Sequence, residues 1–150
     1  MPRWTWSALL LLAALPGCLG GTNKVPALPT PGPTCNPGGI QSALVYPAPN
    51  ATAIPDVFGQ VIIGSTAALP STWNVVLVDV NSPGGVGGGT FTTPATPFPQ
   101  PTATPAFANP VYQSSSFAGG NFPGEVVHVF LNNTATNCTP AGPIGQFTTQ

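Results

Sequence analysis

Residues Trp73–Val80 read WNVVLVDV, and this run decides the fold class. Its apolar residues are nearly continuous and valine dominates them, which is typical of a β-strand because β-branched side chains fit a pleated surface. The turn-forming sequence NSPG follows at once, at positions 81–84. The run therefore predicts a strand that is buried on both faces.

Shorter runs of the same kind occur on both sides of that strand, and turn residues separate them. They predict further strands at Ser42–Tyr46, Val57–Ile63, Val111–Ser116, Glu125–Leu131 and Gly145–Thr149. In the run Glu125–Leu131, residues alternate between two faces, with Val127 and Val129 on one and His128 and Phe130 on the other. Because no stretch has the pattern of an amphipathic helix, we expect an all-β fold, a β-sandwich of about seven strands.

Length and charge limit the function classes. The chain has 150 residues, which is enough for one domain with a modest core. Only five side chains are formally charged: Arg3, Lys24, Asp56, Asp79 and Glu125. Binding to nucleic acid needs clustered lysine and arginine, so this sparse charge excludes it.

A Gly/Pro/Thr-rich stretch at 83–110 interrupts the strand pattern. It begins with the glycine run Gly84–Gly89 and continues with repeated prolines, which fix φ and remove backbone donors. We therefore predict a long connection without a helix or central strand, and long connections of this kind are commonly functional or disordered. Its three aromatic rings, Phe91, Phe98 and Phe107, are candidate binding residues, and Phe98 and Phe107 could instead strap the connection across a sheet.

The N-terminus has the features of an export signal. Arg3 precedes the apolar stretch Ala8–Leu15, which is much shorter than the roughly 20 residues of a membrane-spanning helix. The following residues, LPGC at positions 15–18, resemble the lipobox of bacterial lipoproteins. The resemblance implies a signal peptide at 1–17, a diacylglycerol on Cys18 and attachment of the exported protein to a membrane of the cell envelope. Leu19 is not the aspartate that retains such proteins in the inner membrane, so the outer membrane or cell surface is favoured.

Cysteine parity agrees with lipidation. Three cysteines leave one unpaired, and assigning Cys18 to the lipid leaves Cys35 and Cys138 for a disulfide in an oxidising compartment. Between the lipid and the domain, residues 18–34 are rich in proline and predict an extended tether. The domain is then 35–150.

Three motifs resemble bacterial immunoglobulin-like domains in their order along the chain: YPAPNATAIP at 46–55, FPGEVVHV at 122–129 and GQFTT at 145–149. The resemblance implies an immunoglobulin-like sandwich in which the N-terminus and the connection before the last strand share one end, bringing Cys35 near Cys138. Two features depart from the family pattern. Val127 stands where an aromatic residue is common, and the connection at 83–110 has no counterpart.

The sequence contains few side chains that could act in catalysis or bind a metal. Titratable side chains after the signal are few, and neither a catalytic triad, a metal-binding motif nor a phosphate-binding loop is recognisable. We expect no catalytic residue, no metal and no cofactor, and His128 should point outward from its strand. The expected function is a tethered, non-catalytic domain for envelope structure or protein contact. The alternative is a module that binds a ligand or glycan, and the exposure of the three phenylalanine rings distinguishes the two.

Overall fold

The computed structural model describes residues 37–81, 84–118, 122–136, 138 and 142–150, and within these ranges the chain is all-β without a helix. Its seven strands form two antiparallel sheets, in the orders β1-β2-β5 and β4-β3-β6-β7. Two antiparallel sheets whose buried residues face one another have the architecture of a β-sandwich. The predicted fold class is confirmed. The strands are β1 Ser42–Tyr46, β2 Gln60–Ser65, β3 Trp73–Asp79, β4 Gly85–Gly87, β5 Val111–Ser116, β6 Val126–Asn133 and β7 Gly145–Thr148.

The main core lies between the sheets and follows from period-two alternation. In β3 and β6 every second residue is buried, including Val75 and Leu77 on one strand and Val127 and Val129 on the other. Phe58 meets Phe147 edge-on at the centre of this core, with ring centroids 4.9 Å apart. The predicted two faces of β6 are confirmed. The prediction that Trp73–Val80 is buried on both faces is wrong, because the outward residues of β3 are only half-buried and Val80 lies beyond the strand.

β2 is the strand that is buried on both faces. Its inward residues Val61 and Ile63 belong to the main core, while Ile62 faces the other way. A second, smaller hydrophobic cluster therefore exists on the outer face of the β1-β2-β5 sheet. It contains Val45, Tyr46 and Ile62, with Phe98 and Tyr112 packed against them.

Residues 93–106 cover that second cluster, and we call this segment the strap. The chain leaves β4 and pairs with the edge of β5, where the backbones of Thr92 and Ser114 exchange hydrogen bonds of 2.9 and 2.8 Å. The strap then crosses the outer face and reaches the edge of β1, where the N–H of Ala103 donates to the C=O of Val45 at 2.9 Å. Pro94 and Pro105 of the strap are buried. The part of the predicted connection that lies at 84–110 thus has a defined course.

Three of the four sheet edges are occupied by the chain's own backbone. The segment 89–92 runs along β5, and the strap and Ile144 bond to β1. A segment near Asn50–Ile54 lies along β7, with a parallel bridge between Ile54 and Thr149. The fourth edge is β4, a three-residue strand in which Gly85 and Gly87 are exposed.

The first and last residues of some strands differ from the prediction, and the causes are glycine residues and solvent exposure. β1 and β5 begin and end as predicted. β2 begins at Gln60 rather than Val57, because Val57 is 64% exposed and Gly59 separates it from the paired residues. β4 was not predicted, since a short Gly-Val-Gly strand has no β-propensity signal and forms only by pairing with β3.

Candidate functional site

The three predicted binding rings do not form one platform. Phe91 is half-buried against the main core, whereas Phe98 packs on the outer cluster and meets Tyr112 edge-on at 5.1 Å. These two rings therefore lie on opposite sides of the β1-β2-β5 sheet. Phe107 is half-buried in the return from the strap to β5. The rings are neither fully buried nor a solvent-facing row, and their role in binding stays a prediction.

Cys138 lies in the loop between β6 and β7, where its backbone pairs with Asn133 through hydrogen bonds of 2.9 and 3.2 Å. The N–H of Leu44 donates to the C=O of Ile144 at 3.4 Å, so the start of β1 and the end of that loop share one end of the sandwich. Cys18 and Cys35 lie outside the described residues, as do the segments 1–17 and 18–34. The pairing of Cys35 with Cys138 therefore stays a prediction.

Among the described residues the titratable side chains form neither a histidine–carboxylate pair nor a metal-binding group. His128 is on the outward face of β6, opposite Val78 of β3. Asp79, which follows Val78, points inward and accepts a hydrogen bond from the N–H of Asn81 at 2.8 Å. Glu125 accepts one from the Asn81 amide at 2.5 Å. Within the described ranges no carboxylate is hydrogen-bonded to His128, and no three His, Cys, Asp or Glu side chains are grouped so that they could hold a metal ion.

The three carboxylates share one end of the sandwich. Asp79 ends β3, Glu125 precedes β6, and the C=O of Asp56 accepts a hydrogen bond from the N–H of Phe122 at 3.4 Å. Two exposed valines, Val57 (64% exposed) and Val80 (56% exposed), lie beside them in the chain. We call this end, opposite the start of β1, the distal end.

Hydrogen bonds between the C-terminal residues and the turn before β6 close the distal end. The Thr149 hydroxyl, in a side chain that is 4% exposed, donates to the C=O of Phe122 and accepts from the N–H of Glu125 at 3.0 Å. The N–H of Gly124 donates to the C=O of Gln150 at 2.6 Å. These bonds tie the last strand to the turn that enters β6, so the distal end has a fixed shape.

The outer face of the second sheet is a surface that the sequence analysis did not select. Val76, Val78, His128 and Phe130 occupy it, all half-buried, and the His128 and Phe130 rings are 6.3 Å apart. We call it the Phe130 face. The sequence did indicate part of this face, because the predicted alternation of β6 placed the His128 and Phe130 rings on the solvent side.

Amide side chains line the same face. The Asn132 amide donates to the Asn74 carbonyl oxygen at 3.4 Å, and the Asn74 amide donates to the C=O of Gly88 at 3.2 Å. Gln146 of β7 is opposite His128 and is exposed. The face thus combines the Phe130 and His128 rings with amide groups.

Comparison with known proteins adds no relative, because no family model, no curated protein and no solved structure matches the chain. In the described part of the chain no helix has the length and hydropathy needed to cross a bilayer.

Proposed function

We propose that this chain is an exported lipoprotein, tethered to the cell envelope through Cys18, whose non-catalytic immunoglobulin-like domain makes protein contacts at its distal end. The LPGC sequence at 15–18 and the Pro-rich stretch at 18–34 support the tether. The observation that carries the contact role is the grouping of every carboxylate of residues 37–150 with two exposed valines at one end of the sandwich.

The topology supports this orientation. β1 and β7 begin at the same end, as the bond between Leu44 and Ile144 indicates, and both run toward the distal end. The described chain begins at Pro37, ahead of β1, at the end opposite the carboxylates. A contact surface at the distal end is therefore separated from the point where the domain begins.

The composition of the distal end suits a partner of defined chemistry. Val57 and Val80 offer apolar area at an otherwise charged end, and Asp56 and Glu125 offer negative charge without a compensating lysine or arginine in residues 37–150. A protein surface with apolar residues surrounded by basic side chains is complementary to this arrangement. Association should weaken as salt screens the charges.

The anchor is tested by metabolic labelling with a fatty-acid analogue, followed by mass spectrometry of the N-terminal peptide. The wild-type chain should carry the label on Cys18, Cys18→Ser should lose it, and the matched control Cys35→Ser should keep it. Label on Cys35, or an unmodified Cys18, refutes the tether.

The contact surface is tested by placing a photo-crosslinking amino acid at position 57 in the full-length protein in cells. The control is position 111, also an exposed valine, which pairs with Ser65 at the opposite end. We expect one discrete, salt-sensitive crosslinked species from position 57 and none from position 111. Equal crosslinking from both positions would contradict the proposed orientation.

A second candidate is glycan binding at the Phe130 face. An aromatic ring flanked by amide groups suits a neutral sugar, because a sugar has an apolar ring face and many hydroxyls that pair with amides. This observation favours a carbohydrate over a charged ligand.

Glycan-array screening followed by titration tests the candidate. Phe130→Ala should lose the binding of any hit, and Val111→Ser, a surface change on the other sheet, should retain it. An array without hits, or binding that survives Phe130→Ala, removes this candidate.

A further inference from the structure

The strap carries three Thr-Pro dipeptides, at Thr93, Thr96 and Thr104. All three threonines are exposed, and within the described residues none of their hydroxyls makes a hydrogen bond. Neighbouring threonines of the same segment differ. The Thr92 hydroxyl is 3.0 Å from that of Ser114, and the Thr102 hydroxyl bonds to Gln100. Within the strap, the threonine hydroxyls without a hydrogen bond are therefore those that precede proline.

The packing of the strap fixes which way these hydroxyls face. Pro94 and Pro105 are buried and Phe98 is half-buried on the outer cluster, so this side of the strap is attached to the sheet. Proline also holds the preceding residue in an extended conformation. Thr93 and Thr104 consequently sit on extended backbone beside a buried anchor, with their side chains in solvent.

We propose that Thr93, Thr96 and Thr104 are acceptor sites for O-linked glycosylation. A bond forms between the threonine Oγ1 and the anomeric carbon of an activated sugar, supplied as a nucleotide- or lipid-linked diphosphate. The bond between that carbon and the diphosphate oxygen breaks, and the diphosphate leaves with the electron pair. The hydroxyl proton passes to a base of the transferase. Segments rich in threonine and proline with small neighbours are typical acceptors.

Charge favours a sugar over a phosphate at these positions. Residues 37–150 contain no lysine or arginine, so a phosphate, with a charge of roughly −1.5 to −2 at pH 7, would have no cationic partner in the domain. A neutral sugar needs none. It would also add hydration to a domain whose only carboxylates are Asp56, Asp79 and Glu125.

The test uses the full-length protein purified from the organism that makes it. Chymotrypsin should cut after Phe91 and Phe107 while Pro99 blocks cleavage after Phe98, so one peptide, 92–107, holds all three Thr-Pro sites. Fragmentation that preserves the modification should place sugar on at least one of the three threonines. An unmodified peptide, a phosphate in place of sugar, or sugar only elsewhere in the chain overturns the proposal.

Matched variants provide the control. Replacing Thr93, Thr96 and Thr104 with valine should remove the sugar-bearing forms of the protein. Thr72→Val, at an exposed threonine outside the strap, should leave them unchanged. Loss of sugar in Thr72→Val alone would also overturn the assignment. The wild-type measurement does not depend on how the variants fold, and it is independent of the lipid on Cys18, so the two proposals can fail separately.

Discussion

The strap packs tightly over Gly64 of β2, and substitution there probes the outer cluster directly. A Cβ added at Gly64 would lie 2.6 Å from Cγ of Pro105 and 3.3 Å from Cγ2 of Val45. The first distance is far below van der Waals contact, and a proline ring has no rotamer with which to withdraw. Gly64→Ala must therefore displace the strap or the strand.

The size of the effect follows from two opposing terms. Overpacking a buried site typically costs about 1–3 kcal/mol. Replacing glycine with alanine also restricts the unfolded chain, which stabilises a compatible site by about 0.4–1 kcal/mol. Gly59→Ala isolates the second term, because an added Cβ at Gly59 meets nothing within 4 Å. The difference between the two variants then reports the clash with the strap.

Urea unfolding followed by far-ultraviolet circular dichroism measures that difference. We expect the free energy of unfolding of Gly64→Ala to lie about 1–3 kcal/mol below that of Gly59→Ala. Chymotrypsin should also cleave the Gly64→Ala chain faster after Phe107, since a displaced strap is accessible. If Gly64→Ala is as stable as Gly59→Ala, the strap is not seated on Gly64 and the reasoning fails.

Three further predictions concern stability. Phe147→Ala, at a fully buried ring, should lower the free energy of unfolding by about 3–5 kcal/mol, whereas Val57→Ala, at a side chain 64% exposed, should change it by under about 0.5 in the same urea assay; equal losses would contradict the core assignment. Thr149→Val should cost about 1–3 kcal/mol in thermal unfolding because buried backbone groups lose their partner, and Thr149→Ser should retain most of the stability. Non-reducing peptide mapping should find Cys35 linked to Cys138, and replacing both with serine should cost roughly 4–5 kcal/mol; a link from either cysteine elsewhere would refute the pairing.

The strand pattern was predictable because it is local. β1 and β5 follow from short β-prone runs bounded by proline or glycine, and the two faces of β6 follow from alternation. The burial of the outer faces was not local. A continuous apolar run predicted double burial for Trp73–Val80, but it is β2 that is buried on both faces, because the strap crosses it.

The candidate site depended still more on long-range placement. The outward position of His128 and Phe130 was readable from period two, yet their grouping with Val76 of β3 needed the cross-strand register. Phe91 and Phe98 lie on opposite sides of the β1-β2-β5 sheet because the connection passes around one edge of that sheet. Similarly, nothing in the sequence brings Asp56 beside the turn before β6.

The occupied sheet edges take on a further meaning in a domain with so little charge. Proteins commonly discourage strand addition by placing charged side chains, lysine above all, along exposed edges. Residues 37–150 contain no lysine, and here backbone segments fill the edges of β1, β5 and β7 instead. Of the described edges only β4 is open. Strand pairing through this one described edge joins two molecules and then stops, so it would give a closed dimer rather than a fibre.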